Sequence, residues 1–325
     1  MRKILFYSLF LWFLTSCGEE ETFDPLRQPP YDQITDSIQK QPDNAALYFR
    51  RATLLYVNNQ PVFAEKDLRK AWELDPQELY AKNLAFYLQQ RNVDSSITFV
   101  ESALEKFPNS IELRLELANA YLQKQDLNAV LAVCDTIINR YPGQLDALQL
   151  KAETLLELEK TREAIAVLEQ AYEFAPDDPA IMQALAFSYA EIKDPKAIAI
   201  SDALIAMDPK KKHAEPYFFK GVYYYNKGNF PEAIRFFNMT IQYNFKYMDA
   251  YINKGMIYFD QKDYTKALET FNQALNVDPT YADVYYWLGK TKEAMGQKEE
   301  AKLNYLKAFG LDKTNTRAKE AADKL

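Results

Sequence analysis

The chain has 325 residues, 48% of them hydrophobic and 14% aromatic, with a net charge of −7. That is ample material for a core, so the body of the chain is not disordered, and only 8 glycines argue against glycine-rich phosphate loops and turn-rich β folds. An acidic chain is a poor ligand for nucleic acid, whose phosphates need a basic surface, and two cysteines do not make a disulfide scaffold.

The first element is an address. Arg2 and Lys3 precede an apolar run over 4–14, followed by the small residues Thr15, Ser16, Cys17 and Gly18. This order is that of a secretory signal, and the run is too short for an ordinary transmembrane helix. Leu14-Thr15-Ser16-Cys17 resembles the lipobox of bacterial lipoproteins. The resemblance implies a signal peptide over 1–16, cleavage before Cys17 and acylation of Cys17, with palmitate-type chains as the only hold on a membrane. The other reading is an ordinary secretory signal with an incidental cysteine. Several acyl chains anchor firmly, whereas a single chain is marginal. Residues 17–30 are acidic and contain prolines, which reads as a flexible linker. No Asp follows Cys17, and Glu19-Glu20-Glu21 resembles the surface-export signals of some Bacteroidota lipoproteins. The expected location is therefore the outer membrane, facing the periplasm or the cell surface.

Residues 31–44 read as a capping helix. Beyond them a period of 34 residues takes over, visible in Gly221, Gly255 and Gly289, in Ala233, Ala267 and Ala301, and in Phe237, Phe271 and Tyr305. A fixed period of this length means stacked supersecondary units. Each period predicts two short amphipathic helices, and a proline usually closes the second. Eight repeats follow in order: 45–78, 79–110, 111–144, 145–178, 179–213, 214–247, 248–281 and 282–315. The second is degenerate, with Ser96 in place of an alanine. The fifth is irregular, with a shortened turn at Asp194-Pro195 and the polar run Lys210-Lys211-Lys212-His213. That irregularity predicts a bend between repeats one to five and repeats six to eight. Residues 316–325 form a polar last helix, as a terminal cap requires.

The best-formed period, Met248–Tyr281, carries Tyr251, Gly255, Tyr258, Ala267, Phe271, Ala274 and Pro279. In this pattern it resembles the tetratricopeptide repeat family. The resemblance implies an all-α, right-handed α-solenoid of about eight repeats, whose concave groove is lined by positions 2, 5, 9 and 12 of each first helix. On that register, repeats three and four offer an acidic groove with Glu112, Asp146 and Glu153, and 111–178 holds 13 acidic against 6 basic residues. Repeats six to eight offer Phe218, Val222, Tyr225, Ile252, Met256, Phe259 and Tyr286, apolar where solvent favours polar side chains. Such a patch marks an interaction site for an apolar peptide or helix; the competing reading is that it packs on itself. The carboxylate clamp of chaperone-binding relatives finds only Asn253 in place, against Phe218, Val222, Asp283 and Trp287.

Candidate chemistry is sparse. His213 is the single histidine, in a polar turn, which leaves neither a histidine acid–base pair nor a two-histidine metal site. Gly289-Lys290-Thr291 looks like the end of a phosphate loop, but Val284 stands where its first glycine belongs and the segment reads as mid-helix. Cys134 lies on an apolar stripe, as a small buried hydrophobe does. The expectation is a non-enzymatic, lipid-anchored scaffold of the cell envelope that uses no cofactor or metal. It would bind a protein or peptide in its groove and no nucleic acid. The alternatives are an assembly factor for an envelope machine of the pilus or outer-membrane-protein type, and capture of a glycan or small ligand by the aromatic groove.

Overall fold

The computed structural model describes residues 24–210 and 212–325, and every regular element among them is helical. The expected signal peptide over 1–16 and Cys17 lie outside the described residues. None of the described helices is long and apolar enough to cross a membrane. The chain divides into two compact units, Met1–Leu113 and Arg114–Leu325.

The first unit opens with a 3-10 helix, Pro25–Arg27, and continues through α1 (Asp32–Lys40), α2 (Ala45–Val57), α3 (Pro61–Leu74), α4 (Glu78–Arg91) and α5 (Val93–Lys106). Pro61 starts α3 at a position whose N–H would have no partner within the helix. Ala52, Leu55, Ala64, Leu68, Leu84 and Leu88 close the core between these helices. One polar cluster is buried with them. Arg51 donates from Nε and a terminal nitrogen to both oxygens of Asp67, at 2.6 and 2.8 Å, and from its other nitrogen to the Thr35 hydroxyl at 3.0 Å. That hydroxyl in turn donates to the carbonyl of Leu26 at 2.6 Å. A bidentate pair that satisfies its remaining donor in this way offsets the desolvation of two buried charges. It also ties α1 and the 3-10 helix to α2 and α3. Residues 24–30, read above as the end of a flexible linker, are therefore partly docked, with Leu26 packed against the core of the first unit.

The helix α6 (Ile111–Gln123) begins at the junction between units. The second unit continues with α7 (Leu127–Arg140), α8 (Leu145–Glu157), α9 (Thr161–Phe174), α10 (Pro179–Glu191), α11 (Lys196–Met207), α12 (Glu215–Asn226), α13 (Phe230–Tyr243), α14 (Met248–Asp260), α15 (Tyr264–Val277), α16 (Ala282–Ala294), α17 (Lys298–Leu311) and α18 (Thr316–Lys324). Helices pack chiefly on their partner in the pair and on the pair that follows. Where Asp126, Asp178, Asn229, Asp263 and Asn315 precede a helix, their side chains accept its first free N–H groups.

Two repeated devices build the pairs. At Gly255 a Cβ would lie 2.3 Å from the Phe271 ring, so only glycine lets α14 and α15 approach with that ring between them; Gly221 meets Phe237 and Gly289 meets Tyr305 in the same way. The turn inside each pair but α4 and α5, which are joined through the extended Asn92, then uses one left-handed residue. Asn59, Gln125, Glu159, Lys193 and Lys262 hold φ of 57° to 64°, and Gly228 and Gly296 take the equivalent place. This conformation ends the first helix and turns the chain into the second.

The irregular connection after α11, where a bend was expected, does not divide the chain. That segment lies inside the second unit, and one continuous set of buried side chains runs through it from Leu148 to Ile257. The reason is that α10 packs against both α11 and α12, so the irregular connection is spanned by an intact helix contact. The division between units falls earlier, at 113/114.

Candidate functional site

The first helix of each pair in the second unit presents a row of side chains beside the core stripe, because residues three and four apart share a helix face. On α8 this row is Asp146, Gln149, Glu153 and Leu156, of which Asp146 and Glu153 are exposed. Gln149, Glu153 and Leu156 line one side of a cavity of about 140 Å³, with Leu168 of α9 and Ala180, Ile181 and Ala184 of α10 completing it. The cavity exists because α10 faces it with alanines, whose side chains do not reach across. Glu112 is exposed as well, on α6, but falls in the first unit.

A larger cavity, about 310 Å³, opens where the fifth repeat is irregular. Pro179, Leu204, Met207 and Pro216 give it an apolar lining, with Asp208 and His213 at its polar side. The His213 backbone N–H donates to Asp208 Oδ2 at 2.8 Å, which fixes the connection. The His213 imidazole is exposed and stands 3.9 Å from the Glu215 carboxylate.

From α12 onward the row changes character. Phe218, Val222 and Ile252 were expected in the groove, and they are buried at 7%, 5% and 7% exposure. Phe218 packs on Phe237 at 5.7 Å and under Tyr247 at 4.9 Å, ring centre to ring centre. Tyr247, from the connection after α13, is long enough to cover the position, so these three side chains belong to the core. Tyr225, Met256, Phe259 and Tyr286 are half-buried. The self-packed reading thus holds for three of the seven apolar residues, and the other four keep partial access to solvent.

Hydroxyls and amides cap carboxylates at the helix ends in this region, once between repeats and twice within one. Tyr225 donates to Asp260 at 3.2 Å, Tyr281 to Asp249 at 3.3 Å, and the Asn315 amide to Asp283 at 3.2 Å. Burial, then the neighbouring Asp249, push the Tyr281 hydroxyl up to about 12, so it stays a donor at neutral pH. Burial also lowers the ordinary pKa of Lys254 on α14.

Two features escaped the sequence reading. Trp287 stacks on Phe271 and meets Phe259 edge-on at 5.8 Å. Lys290 then lies over three rings, with Nζ 4.6 Å from the centre of Trp287, 5.6 Å from Phe259 and 5.9 Å from Tyr286. Lys290 occupies position 9 of its repeat, a groove position, so the register alone could have found it. Gly289-Lys290-Thr291 is mid-helix in α16: Gly289 meets a ring, and the Thr291 hydroxyl donates to the Trp287 carbonyl at 2.8 Å.

Comparison with known proteins follows the same register. Residues 255–296 match the family model described as TPR repeat, and 282–315 match the one described as tetratricopeptide repeat. Over residues 255–315 the chain carries tetratricopeptide repeats. Residues 89–171 match the family model for anaphase-promoting complex, cyclosome, subunit 3. No curated protein sequence matches the chain. Among solved structures it is similar to a tetratricopeptide repeat protein from Parabacteroides merdae ATCC 43184, at TM-score 0.54 and 17% identity, over 86% of this chain and 97% of that one. At that identity the likeness is one of fold. Lower scores link it to the APC/C hetero-tetramer Cut9-Hcn1 (TM-score 0.48, 15% identity, 90% of this chain and 57% of that one). A thermophilic TPR protein in Thermus thermophilus is similar at 0.47 and 19% identity, over 55% of this chain and 97% of that one. Both are too distant to inform the site. Tetratricopeptide repeats stack into scaffolds for protein–protein interaction, and the open part of the first-helix row is where such a contact has room.

Proposed function

We propose that this chain is a non-enzymatic scaffold of the bacterial cell envelope, held on the outer membrane by acyl chains at Cys17. It docks an extended or helical segment of a partner protein along the first-helix row of its repeats. The observation that supports docking most directly is the cavity between α8 and α10. Three groove positions of one repeat, Gln149, Glu153 and Leu156, line it together with the small residues of the next. An opening of this size takes one side chain of a bound segment, and the exposed acids Asp146 and Glu153 beside it favour a basic or amide-bearing neighbour. The lipid anchor rests on Leu14-Thr15-Ser16-Cys17 and the apolar run before it.

A photo-crosslinking residue placed at Gln149 of the membrane-bound protein tests the docking. One dominant protein adduct is expected there, and none at Phe174, an exposed residue on a second helix. Equal capture at both positions, or no capture at Gln149, would refute the docking face. For the anchor, a Cys17→Ala variant is expected in the soluble fraction, and its retention in the membrane fraction would refute the tether.

A further inference from the structure

The C-terminal end of the chain reverses the charge of the whole. Residues 282–325 hold 9 basic and 7 acidic residues in a chain whose net charge is −7. Two of these cations are set against one ring on the first-helix face. Lys290 lies 5.9 Å and Arg317 5.3 Å from the centre of Tyr286. Neither makes an ion pair or a side-chain hydrogen bond among the described residues, and two acids of the Lys290 helix already accept hydrogen bonds from other groups: Asp283 from Asn315 and Glu293 from Tyr305.

We infer that Lys290 and Arg317 form a carboxylate-binding subsite that receives an acidic segment of the partner protein. The inference rests on the docking reading above and assigns the chemistry of one part of that contact. Ring faces attract a cation without consuming its N–H donors. Lys290, held over Phe259, Tyr286 and Trp287, is therefore positioned and still has its hydrogen-bonding capacity to give. Holding it in place beforehand removes part of the side-chain entropy that binding would otherwise cost. Arg317 is exposed and brings a planar fork that matches a carboxylate with two parallel bonds. Tyr286 and Phe259, half-buried beside them, supply apolar contact for the rest of the segment. The size of the ligand's charge follows from the surroundings. An acidic chain repels a long polyanion, so the subsite suits one or two carboxylates of a peptide rather than a nucleic acid. Lys290 is half-buried among its rings, within reach of a side chain and poorly placed for a flat lipid surface.

The test is fluorescence anisotropy on the full chain, using a labelled peptide Ser-Glu-Phe-Asp-Glu-Phe-Ser and its amide counterpart Ser-Gln-Phe-Asn-Gln-Phe-Ser. The acidic peptide is expected to bind about tenfold more tightly than the amide, as charge-assisted bonds require. The K290Q R317Q variant should bring both peptides to the weaker value at an unchanged melting temperature. A K298Q K324Q variant, which removes two exposed lysines, should retain the preference. Equal binding of the two peptides, or a preference that survives in K290Q R317Q, would overturn the subsite. So would loss, in that variant, of binding to phosphatidylserine vesicles when neither peptide binds the native chain. Crosslinking at Gln149 separates the two proposals: if K290Q R317Q still captures the partner there, a failed peptide assay removes the subsite and leaves the docking face.

Discussion

Residues 145–207 and residues 214–311 fold into the same helix pairs by different packing. In the first stretch Ala152 and Leu168 are buried between α8 and α9, and the first-helix row stays open enough to hold a cavity lined by small residues. In the second, glycine replaces alanine and an aromatic ring replaces leucine, at Gly221 and Phe237, Gly255 and Phe271, Gly289 and Tyr305. Each large ring then draws other rings around it, until Tyr247 covers Phe218 and Trp287 stacks on Phe271. The choice of one core pair thus decides what a partner meets on the surface. An alanine and leucine core leaves an acidic, accessible face, and a glycine and aromatic core leaves a filled face of rings and cations.

Truncation of the filler breaks this contrast most severely. Phe271→Ala leaves a ring-sized void in a fully buried site and is expected to cost about 4 kcal/mol, against about 3 kcal/mol for Leu168→Ala. Urea unfolding of each variant measures both, and equal losses would mean that the two cores fill equally well. The small partner sharpens the comparison at lower energy. Gly255→Ala forces a methyl group into the Phe271 ring and should cost about 1–3 kcal/mol. Ala152→Gly adds no clash and should cost only about 1 kcal/mol through helix propensity. If Gly255→Ala is neutral, the ring has room to move and the close approach is not set by glycine. The turns give the smallest effect. Glu159 and Lys262 sit at φ of 59° and 60°, so replacing either with glycine should gain about 0.5–1 kcal/mol. The gain should be similar in both regions, since the turn is common to them. A thermal melt reads it as a small rise in Tm.

Much of this fold is legible in residue spacing. The recurrence of Gly221, Gly255 and Gly289 marks each first helix at the point where the second crosses it, and the rings at Phe237, Phe271 and Tyr305 name what crosses. Exposure is not legible in the same way. Position 5 of a repeat is Gln149 in one place and Phe218 in another, and whether it is covered depends on how far Tyr247, outside both helices, extends. The period fixes which face a residue shares, while the length of side chains in the connections fixes whether that face is open. The same holds for charge. Lys290 stands at a groove position on the register, but its capture by three rings needs Trp287, whose position lies off the groove row. The boundary at 113/114 follows the degenerate second repeat, whereas the irregular fifth repeat lies inside one unit, where α10 packs on both α11 and α12.

Cys134 on α7 has no part in either face, yet it makes the chain able to report on its own motions. Its thiol is fully buried beside Ala118 and Val130, and burial followed by the charge of Asp135 pushes it up to about 12. Thiolate is the form that reacts with alkylating reagents, so a folded molecule is silent and only an opened one is marked. The rate of marking becomes a clock for the loosening of one helix. In a stack of repeats each unit leans mainly on its neighbours. A Phe271→Ala change that leaves the clock at Cys134 untouched would show that repeats open one at a time. A faster clock would show that the second unit opens as a whole.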